Sequence, residues 1–483
     1  MINNFEAIIG IEVHTVLNTK TKMFSPALNL HHAQPNTLIN EIDLGLPGIL
    51  PQPNAMAIRK AIWLAKSIGA EINYQNIQFD RKNYYYLDLP KGYQITQQFF
   101  PIGKNGQIKI LTVDKKEKVI TIQRMHLEED TAKQIIKNEN IELDYNRCGA
   151  PLIEIVTDPV IDNAYEAMEY LKKLVQILKF NNISDAKLED GSLRADINIS
   201  IRPVGQKTFN NKVEIKNINS ISNVGKAINF EINRQIGLYF QNQEVVQETR
   251  RFDDQISQTV SMRLKEDAVN YRYFHEPNIT KIRLTDDEFN EILKMKNKEI
   301  NEIIIDLTNW GLNSQNIELL LNDYDLYNKY IKLVQLTNLH ILSFNWLTVE
   351  LVGFLKKDNL QIQNLDDFVL NELAKMLVKL DQEDINGKQA KIILEEIYKF
   401  KLSTDEIIKN HHFEQIKDPK LILELVEKLI SNYPEMVNQY CDRPERVVKF
   451  LVGMVMKETN SQANPKITTD VITDLLVKKF STN

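Results

Sequence analysis

Between residues 5 and 280, hydrophobic and polar side chains often alternate, which is the pattern of half-buried β-strands. In residues 8–17, IIGIEVHTVL, apolar side chains stand at every second position and predict a strand. A side-chain period of two places Glu12 and His14 on the same face of that strand, roughly 7 Å apart. The first predicted strand therefore presents a carboxylate and an imidazole side by side.

Two stretches of this region follow the helical period instead. Residues 55–68, AMAIRKAIWLAKSI, end before Gly69, a residue type common just after a helix. Residues 164–178 carry their apolar side chains on one helical stripe. We predict a helix in each stretch and assign both a structural role.

The pattern changes from residue 284 onward, where apolar residues recur at helical spacing. The sequences at 285–288 (TDDE) and 403–406 (STDE) have the spacing of helix capping boxes. We predict an α+β domain with an antiparallel sheet over residues 1–284. An all-α helical domain over 285–364 and an all-α tail domain over 365–483 follow it.

Acidic, basic and histidine side chains share one face in four further strand-like segments: 121–130, 151–156, 193–202 and 212–218. Any half-solvated antiparallel sheet shows polar alternation, so a single such strand indicates little. Glu154 differs because Leu152 and Val156 lie on its own face. A carboxylate in that setting is partly buried and needs a cation, a metal ion or strong donors.

These strands together indicate a polar sheet face that holds a divalent metal ion. The candidate metal ligands are Glu12, His14, Glu128 and Glu154. Oxygen ligands with one imidazole suit Mg²⁺ or Mn²⁺ better than structural zinc. The candidate phosphate-binding side chains are Arg194, Arg202 and Lys216. Metal and basic groups together are what phosphoryl transfer requires, and a Walker A motif is absent, so we expect a nucleotide site of another kind.

Composition limits the remaining possibilities. The net charge of −6 supplies no global positive field, although a local basic patch suffices to bind RNA. Cys148 and Cys441 are the only cysteines and neither stands in a CxxC, which argues against a cysteine zinc site and a disulfide framework. The most apolar stretch, 341–355, is too short to span a bilayer. We expect a cytoplasmic protein without a membrane partner.

Several sequence segments, taken in order, closely resemble the B subunits of aspartyl/glutamyl-tRNA amidotransferases. They are GIEVH (10–14), MFSP (23–26), DLGLPGILP (43–51), FDRKNYYYLDLPKGYQIT (79–96), MHLEEDTAK (125–133), NRCGAPLIEIV (146–156), KLEDGSLRADINIS (187–200), VEIKNINS (213–220), QETRRFD (247–253) and YRYFHEPN (271–278). FLVGMVMKETNSQANP (450–465) resembles the tail domain of that family.

The resemblance implies a cradle-shaped first domain similar to the catalytic fold of glutamine synthetase. It implies a heterotrimer with an amidase A subunit and a small C subunit. The B subunit would use ATP and Mg²⁺ to phosphorylate the side-chain carboxylate of Glu or Asp mischarged on tRNA(Gln) or tRNA(Asn). Ammonia channelled from the A subunit would displace the phosphate, while the helical and tail domains would bind the tRNA.

The resemblance also assigns roles to residues. It supports Glu12, His14, Glu128 and Glu154 as metal ligands. Strand register decides between Glu128 and its neighbour Glu129, and we favour Glu128, on the face of His126. The candidates for a further metal ion or for ATP are Glu189, Asp196 and Glu214. The candidates for the ammonia passage are Lys82, Tyr84 and Lys91. Because the paired cysteines of some family members are missing, we expect no zinc.

Two other functions remain open from the sequence. A non-catalytic tRNA-binding scaffold would keep the fold without the kinase step, but bare carboxylates repel RNA. A free-standing ligase akin to glutamine synthetase would not need the long helical tail. Which of the two mischarged tRNAs serves in the cell depends on the synthetases that accompany the protein.

Overall fold

The computed structural model describes residues 4–30, 33–137, 140–264, 270–296, 299–413, 418–459 and 462–481. The chain divides into two compact units, one formed by Met1–Ile305 with Leu321–Tyr324 and the other by Asp306–Leu320 with Asp325–Asn483. The first unit contains the sheet and the second is helical, which confirms the predicted order of an α+β region and an all-α region.

The strands all lie in the first unit. They are β1 (Phe5–Val16), β2 (Glu71–Ile72), β3 (Asp80–Asn83), β4 (Tyr93–Thr96), β5 (Gly103–Leu111), β6 (Glu117–Glu129), β7 (Lys133–Lys137), β8 (Asn140–Asp144), β9 (Pro151–Thr157), β10 (Leu193–Pro203), β11 (Val213–Lys216), β12 (Glu248–Asp253), β13 (Gln258–Leu264) and β14 (Phe274–His275).

The first five helices also belong to this unit. They are α1 (Glu41–Leu44), α2 (Ala55–Ser67), α3 (Ala164–Phe180), α4 (Ile221–Phe240) and α5 (Asp286–Lys294). Helix α2 begins after Asn54, whose side chain accepts hydrogen bonds from two backbone amides of the first turn. Both predicted helices are confirmed, and α3 runs two residues beyond the predicted end at 178.

The main sheet has nine strands in the order β13-β12-β11-β10-β1-β9-β6-β5-β2. Neighbouring strands are antiparallel, as predicted, except β11 and β12, which are parallel. The exception has a physical cause, because α4 connects these two strands and a crossover helix returns the chain in the same direction. Strand β1 lies inside the sheet, between β10 and β9.

The two faces of the sheet differ in chemistry. Helices α3 and α4 pack against each other and against β5 and β10, covering the apolar face. Ile11 and Val13 of β1 are buried among the apolar side chains of the sheet. The alternate residues Glu12 and His14 are half-buried on the opposite face, where the candidate site lies.

The remaining helices belong largely to the second unit, and the division between the units falls inside the first of them. They are α6 (Ile300–Asn309), α7 (Ser314–Leu321), α8 (Tyr324–Thr337), α9 (His340–Asn345), α10 (Val352–Lys357), α11 (Asp367–Asp381), α12 (Gly387–Phe400), α13 (Thr404–Asn410), α14 (Pro419–Asn432), α15 (Pro434–Val437), α16 (Pro444–Glu458) and α17 (Pro465–Ser481). A π-helical turn, Trp346–Leu351, joins α9 to α10. Capping boxes form at Thr285 and Ser403, where the sequence predicts them.

The predicted division at 364/365 falls within the second unit, after the 3₁₀ turn Ile362–Asn364. The three-domain division therefore stays a prediction. Apolar side chains of α14, α16 and α17, including Val426, Leu451 and Leu476, form a core near the end of the chain. Within the described ranges, no helix is both long enough and apolar enough to cross a bilayer.

Candidate active site

Strand register brings the acidic and histidine residues of β1 and β9 together. His14 lies directly opposite Glu154 on β9 and opposite Arg194 on β10. Glu12 lies opposite Asp196 on β10. Side chains of directly opposed residues point to the same face, so the three strands present these groups to one space.

Strand β6 completes this arrangement from the other side of β9. His126 lies directly opposite Glu154, and Glu128 follows two residues later on the same face. Glu129 is on the other face, where its carboxylate contacts Lys91 and accepts a hydrogen bond from the backbone amide of Ile95 at 3.0 Å. Of the two adjacent glutamates, the structure therefore brings Glu128 to the site.

The carboxylates surround the imidazole of His14. Its Nε2 atom lies 3.7 Å from Oε1 of Glu12, 3.5 Å from Oε1 of Glu128 and 3.3 Å from Oε2 of Glu154. Two overlapping groups, Glu12–His14–Glu154 and His126–Glu128–Glu154, each offer ligand atoms within 4.8 Å of one another. Their carboxylate oxygens and imidazole nitrogens are a donor set suited to Mg²⁺ or Mn²⁺.

The electrostatics of the cluster favour a bound cation. Burial and the neighbouring Glu154 carboxylate raise the pKa of Glu12 to about 7. Burial lowers the pKa of His14, but the surrounding carboxylates, Glu154 foremost, outweigh burial and raise it to about 9. Burial raises the pKa of Glu154, but the imidazoles of His126 and His14 outweigh it and hold that pKa well below its usual range. Protons on Glu12 and His14 therefore offset the negative charge of the neighbouring carboxylates. A bound divalent cation would supply the same positive charge.

Glu12, His14, Glu128 and Glu154 line a cavity of about 410 Å³. Its walls are formed by Glu12, His14, Lys82, Tyr84, Gln94, Glu128, Asp130, Thr131, Leu152, Glu154, Arg194, Ala195, Asp196, Lys216, Asn217 and Ile218. The cavity combines an acidic cluster with three cationic side chains, those of Lys82, Arg194 and Lys216. Acidic side chains able to bind a metal ion and cationic side chains able to bind phosphate oxygens therefore line the same cavity.

Acidic partners orient the cationic side chains on β10 and β11. The ammonium group of Lys216 contacts Asp196 and lies 3.2 Å from Oε1 of Glu214. Nη2 of Arg194 donates to Oδ2 of Asp130 at 2.9 Å. Burial lowers the pKa of Lys216, but the surrounding carboxylates, Asp196 foremost, together outweigh burial and raise it, so the lysine is charged.

Lys82 and Tyr84 line the same cavity. Nζ of Lys82 lies 4.8 Å from the ring centre of Tyr271 and 5.7 Å from that of Tyr84, so the ammonium contacts aromatic faces. Burial lowers the pKa of Lys82, but the neighbouring acidic groups, Glu128 foremost, together outweigh burial and raise it. Burial and Glu128 raise the pKa of the Tyr84 hydroxyl. Lys82 is thus surrounded by aromatic rings, with the neutral hydroxyl of Tyr84 as a further polar group.

The chain matches two family models, the GatB/GatE catalytic domain over residues 7–290 and the GatB domain over residues 328–476. The chain belongs to the GatB family. It is 50% identical over 477 residues, 99% of this chain and 100% of the relative, to a protein of Ureaplasma parvum serovar 3 named as the B subunit of an aspartyl/glutamyl-tRNA(Asn/Gln) amidotransferase. Proteins of the same name from Malacoplasma penetrans and Mycoplasma pneumoniae are 48% and 45% identical, over 99% of this chain and 98% and 99% of the relatives.

The structure of this GatB-family chain brings most of the predicted site residues to the cavity. Those that line it are Glu12, His14, Glu128, Glu154, Arg194, Asp196, Lys216, Lys82 and Tyr84. Glu214 contacts Lys216 and accepts a hydrogen bond from Thr249 at 3.0 Å. The roles assigned to these residues stay predictions.

Three predicted residues lie elsewhere. Lys91 is nearly buried against Glu129 on the other side of β6. Glu189 is exposed in the turn before β10. Arg202 lies six residues beyond Asp196 along β10, where it contacts Glu6. The structure does not place these three among the residues that line the cavity, and their predicted roles remain untested.

Sequence reasoning missed several residues that line the cavity in this GatB-family structure. Asp130 and Thr131 follow Glu128 at the end of β6, and the period of two already indicated the position of Asp130. Gln94 on β4 and Asn217 after β11 carried no such signal. They reach the cavity from a second sheet and from the irregular segment after β11, which strand periodicity does not describe.

Proposed function

We propose that this chain phosphorylates the side-chain carboxylate of Glu or Asp mischarged on tRNA, with ATP as the phosphoryl donor, and then transfers the acyl group to ammonia. The main support for the proposal is that one cavity contains both the acidic cluster with its imidazole and the cationic side chains of Lys82, Arg194 and Lys216. The names of the relatives, amidotransferases of aspartyl- and glutamyl-tRNA, support the choice of substrate.

The acidic cluster would hold Mg²⁺. Its ligands would be Glu12, His14, Glu128 and Glu154. The carboxylates of the three glutamates already lie close to the His14 ring. A bound Mg²⁺ ion neutralises charge on phosphate oxygens as two anions approach each other. Burial of Glu128 and Glu154 strengthens this interaction, because the cluster is partly shielded from water.

The cationic side chains would position the phosphates. Arg194 and Lys216 lie on adjacent strands, each oriented by a carboxylate, Asp130 and Asp196 respectively. The substrate carboxylate oxygen forms a bond to the γ-phosphorus, and the bond from phosphorus to the ADP oxygen breaks. The products are an acyl phosphate and ADP, whose developing charge the two cations stabilise.

Ammonia would then attack the acyl carbon, inorganic phosphate would leave, and the nitrogen would lose a proton to give the side-chain amide. We propose that an amidase A subunit supplies this ammonia and that a small C subunit completes the heterotrimer. Lys82 and Tyr84 would line the final part of the passage, and Lys91 its more distant part. The aromatic rings around Lys82 would limit access of water to the passing ammonia.

The helical second unit would bind the tRNA. Helix α16 presents Arg446, Lys449 and Lys457 as exposed cations at spacings of three and eight residues, close to one face of the helix. Gly453 is exposed between Lys449 and Lys457, and a Cβ added there meets nothing within 4 Å. This exposed basic face is complementary to a phosphate backbone.

The test uses the purified complex with mischarged tRNA, ATP and glutamine, or ammonium chloride in place of glutamine. We expect amide formation from both nitrogen sources and ADP release that requires the mischarged tRNA. Glu12→Ala should abolish both reactions, and activity equal to wild type would contradict the proposed site. Variants with a smaller residue at Tyr84 should lose glutamine-dependent activity more than ammonium-dependent activity if ammonia passes there.

The same assay separates the two alternatives. ADP release that needs no tRNA would favour a free-standing ligase of the glutamine-synthetase kind. Tight tRNA binding without ADP release would favour a non-catalytic scaffold. Either result would contradict the proposed function.

A further inference from the structure

The carboxylate of Asp130 lies between two guanidinium groups. Nη2 of Arg194, on β10, donates to its Oδ2 atom at 2.9 Å. Nε of Arg147, in the segment between β8 and β9, lies 3.7 Å from the same Oδ2 atom. The side chain of Asp130 is only 6% exposed, so solvent screens its charge weakly. One buried carboxylate oxygen is therefore shared by two arginines.

Main-chain contacts fix the position of Asp130. Its backbone amide donates to the carbonyl oxygen of Ala150, and its carbonyl oxygen accepts a hydrogen bond from the amide of Gly149, both at 2.9 Å. Its Oδ1 atom accepts a hydrogen bond from the amide of Thr131, also at 2.9 Å. The carboxylate is thus held with Oδ2 directed at the two arginines.

The guanidinium of Arg147 is held by the main chain that follows Asp130. Its Nε donates to the carbonyl oxygen of Thr131 at 2.9 Å, and its Nη2 donates to that of Ala132 at 2.7 Å. A guanidinium presents its donors in a rigid planar fork. Because two arms of the fork bind successive carbonyls, Arg147 would lose both hydrogen bonds by turning away from Asp130.

The charges of Arg147, Asp130 and Arg194 do not cancel, since two guanidinium groups face one carboxylate. Asp130 and Arg194 line the cavity, whereas Arg147 is not among the described residues that line it. Alone, Asp130 would both orient Arg194 and neutralise it. With Arg147 offsetting the carboxylate, Arg194 is oriented and still has positive charge to attract a phosphate.

We propose that Arg147 is a positioning residue for ATP binding, which acts through Asp130 and allows that carboxylate to orient Arg194 without cancelling its charge. The inference rests on the proposed function, in which Arg194 contacts the phosphates. It goes beyond that function by assigning a role to a residue that does not line the cavity.

The experiment measures ADP release by the purified complex with mischarged tRNA over a range of ATP concentrations. Arg147→Gln removes the charge but keeps an amide that donates to a backbone carbonyl. We expect it to raise the KM for ATP roughly 10-fold and to leave the KM for tRNA unchanged. Arg147→Lys keeps the charge, so its KM for ATP should stay within about threefold of wild type.

The two variants separate an electrostatic role from a merely structural one. Both lack the planar fork, so a structural role predicts equal effects. Equal increases in the KM for ATP, or no increase in Arg147→Gln, would overturn the inference. The side chain of Arg147 is 39% exposed, so we expect both variants to fold. Arg147→Met, which is also neutral, should reproduce the KM of Arg147→Gln and replaces it if that variant does not fold.

A double-mutant cycle with Arg194→Met tests whether Arg147 acts through Arg194. Arg147→Gln should raise the KM for ATP roughly 10-fold in the wild-type background, but less than about twofold in the Arg194→Met background. Equal increases in both backgrounds would overturn the inference and leave the role of Arg194 standing. An unchanged KM for ATP in Arg194→Met alone would overturn the phosphate contact of the proposed function, and this inference with it.

The control is Arg283→Gln, which removes the same charge from an exposed arginine of the first unit that does not line the cavity. Its KM for ATP should equal that of the wild type. An increase as large as that of Arg147→Gln would show that net charge alone governs ATP binding, and would overturn the inference.

Discussion

Nε2 of His14 lies 3.3 Å from Oε2 of Glu154, the residue directly opposite it on the neighbouring antiparallel strand. The contact depends on strand register, because a shift of one residue would turn one of the two side chains to the apolar face. The pairing of β1 with β9 therefore forms the site. Substitution of single side chains tests its chemistry.

Replacement of Glu12 should weaken metal binding without unfolding the protein. Glu12→Gln keeps the volume of the side chain and removes a carboxylate close to His14. We expect about 100-fold weaker Mn²⁺ binding by calorimetric titration, with an unchanged circular dichroism spectrum. The matched control is Glu71→Gln, an exposed glutamate of β2, which should bind Mn²⁺ as the wild type does. Equal affinity in the two variants would contradict the assignment of Glu12.

Replacement of Lys216 should raise the KM for ATP more than it changes the KM for tRNA. Lys216→Met removes a cation from the cavity wall while it keeps much of the side-chain volume. We expect a roughly 10-fold increase in the KM for ATP, because one charge-assisted phosphate contact is lost. Lys109→Met, at an exposed lysine paired with Glu117, is the control. A KM for ATP unaltered by Lys216→Met would exclude a phosphate contact.

A negative charge on α16 should weaken tRNA binding. Gly453→Glu places a carboxylate between Lys449 and Lys457 at a position with open space, so the fold should tolerate it. We expect about 10-fold weaker binding in a filter assay at low salt, with the difference shrinking as salt is added. Gly453→Ala should keep tRNA affinity and raise stability by about 1 kcal/mol. Wild-type affinity in Gly453→Glu would show that the RNA lies elsewhere.

The two thiols should differ in reactivity. Cys148 is buried and its Sγ lies 3.4 Å from the carbonyl oxygen of Asp43, whereas Cys441 is exposed. Burial, with Glu129 nearby, raises the pKa of the Cys148 thiol to about 12. At pH 8 the thiolate fraction of Cys148 is negligible, so a thiol reagent should modify one cysteine in the native protein and two after unfolding. Rapid modification of native Cys441→Ser would contradict this.

Protein stability should respond to the charge on Lys60. Its ammonium group is buried on α2 and donates to the backbone carbonyl of Asn182. Burial lowers the pKa of Lys60 to about 8 in the folded state, against an ordinary value of 10.5. Between these two values the unfolded chain binds more protons, so the contribution of Lys60 to stability increases as pH rises through that window.

Urea unfolding of wild type and Lys60→Met checks this prediction. We expect Lys60→Met to be the more stable of the two below pH 8, and its advantage to decrease as pH rises toward 10.5. Lys66→Met, on the exposed part of the same helix, should show no pH-dependent difference. A constant difference across the window would mean that Lys60 titrates normally.

Local sequence features correctly predicted helices and helix caps, because these depend on residues that are close together in the sequence. Helix α2 follows from its apolar period and its final Gly69, and the capping boxes at Thr285 and Ser403 formed as their spacing indicates. The parallel pairing of β11 with β12 was not predicted, because pairing depends on where α4 returns the chain. Periodicity describes one strand and carries no information about its partner.

The sequence by itself determined that Glu12 and His14 share a face, because a strand with a period of two allows no other arrangement. It also determined the family, through motifs spread over the whole chain. Only the tertiary structure decided that Glu128 rather than Glu129 reaches the cavity, and that Gln94 and Asn217 join it. Those outcomes depend on register and on contacts between residues far apart in sequence, which side-chain periodicity does not encode.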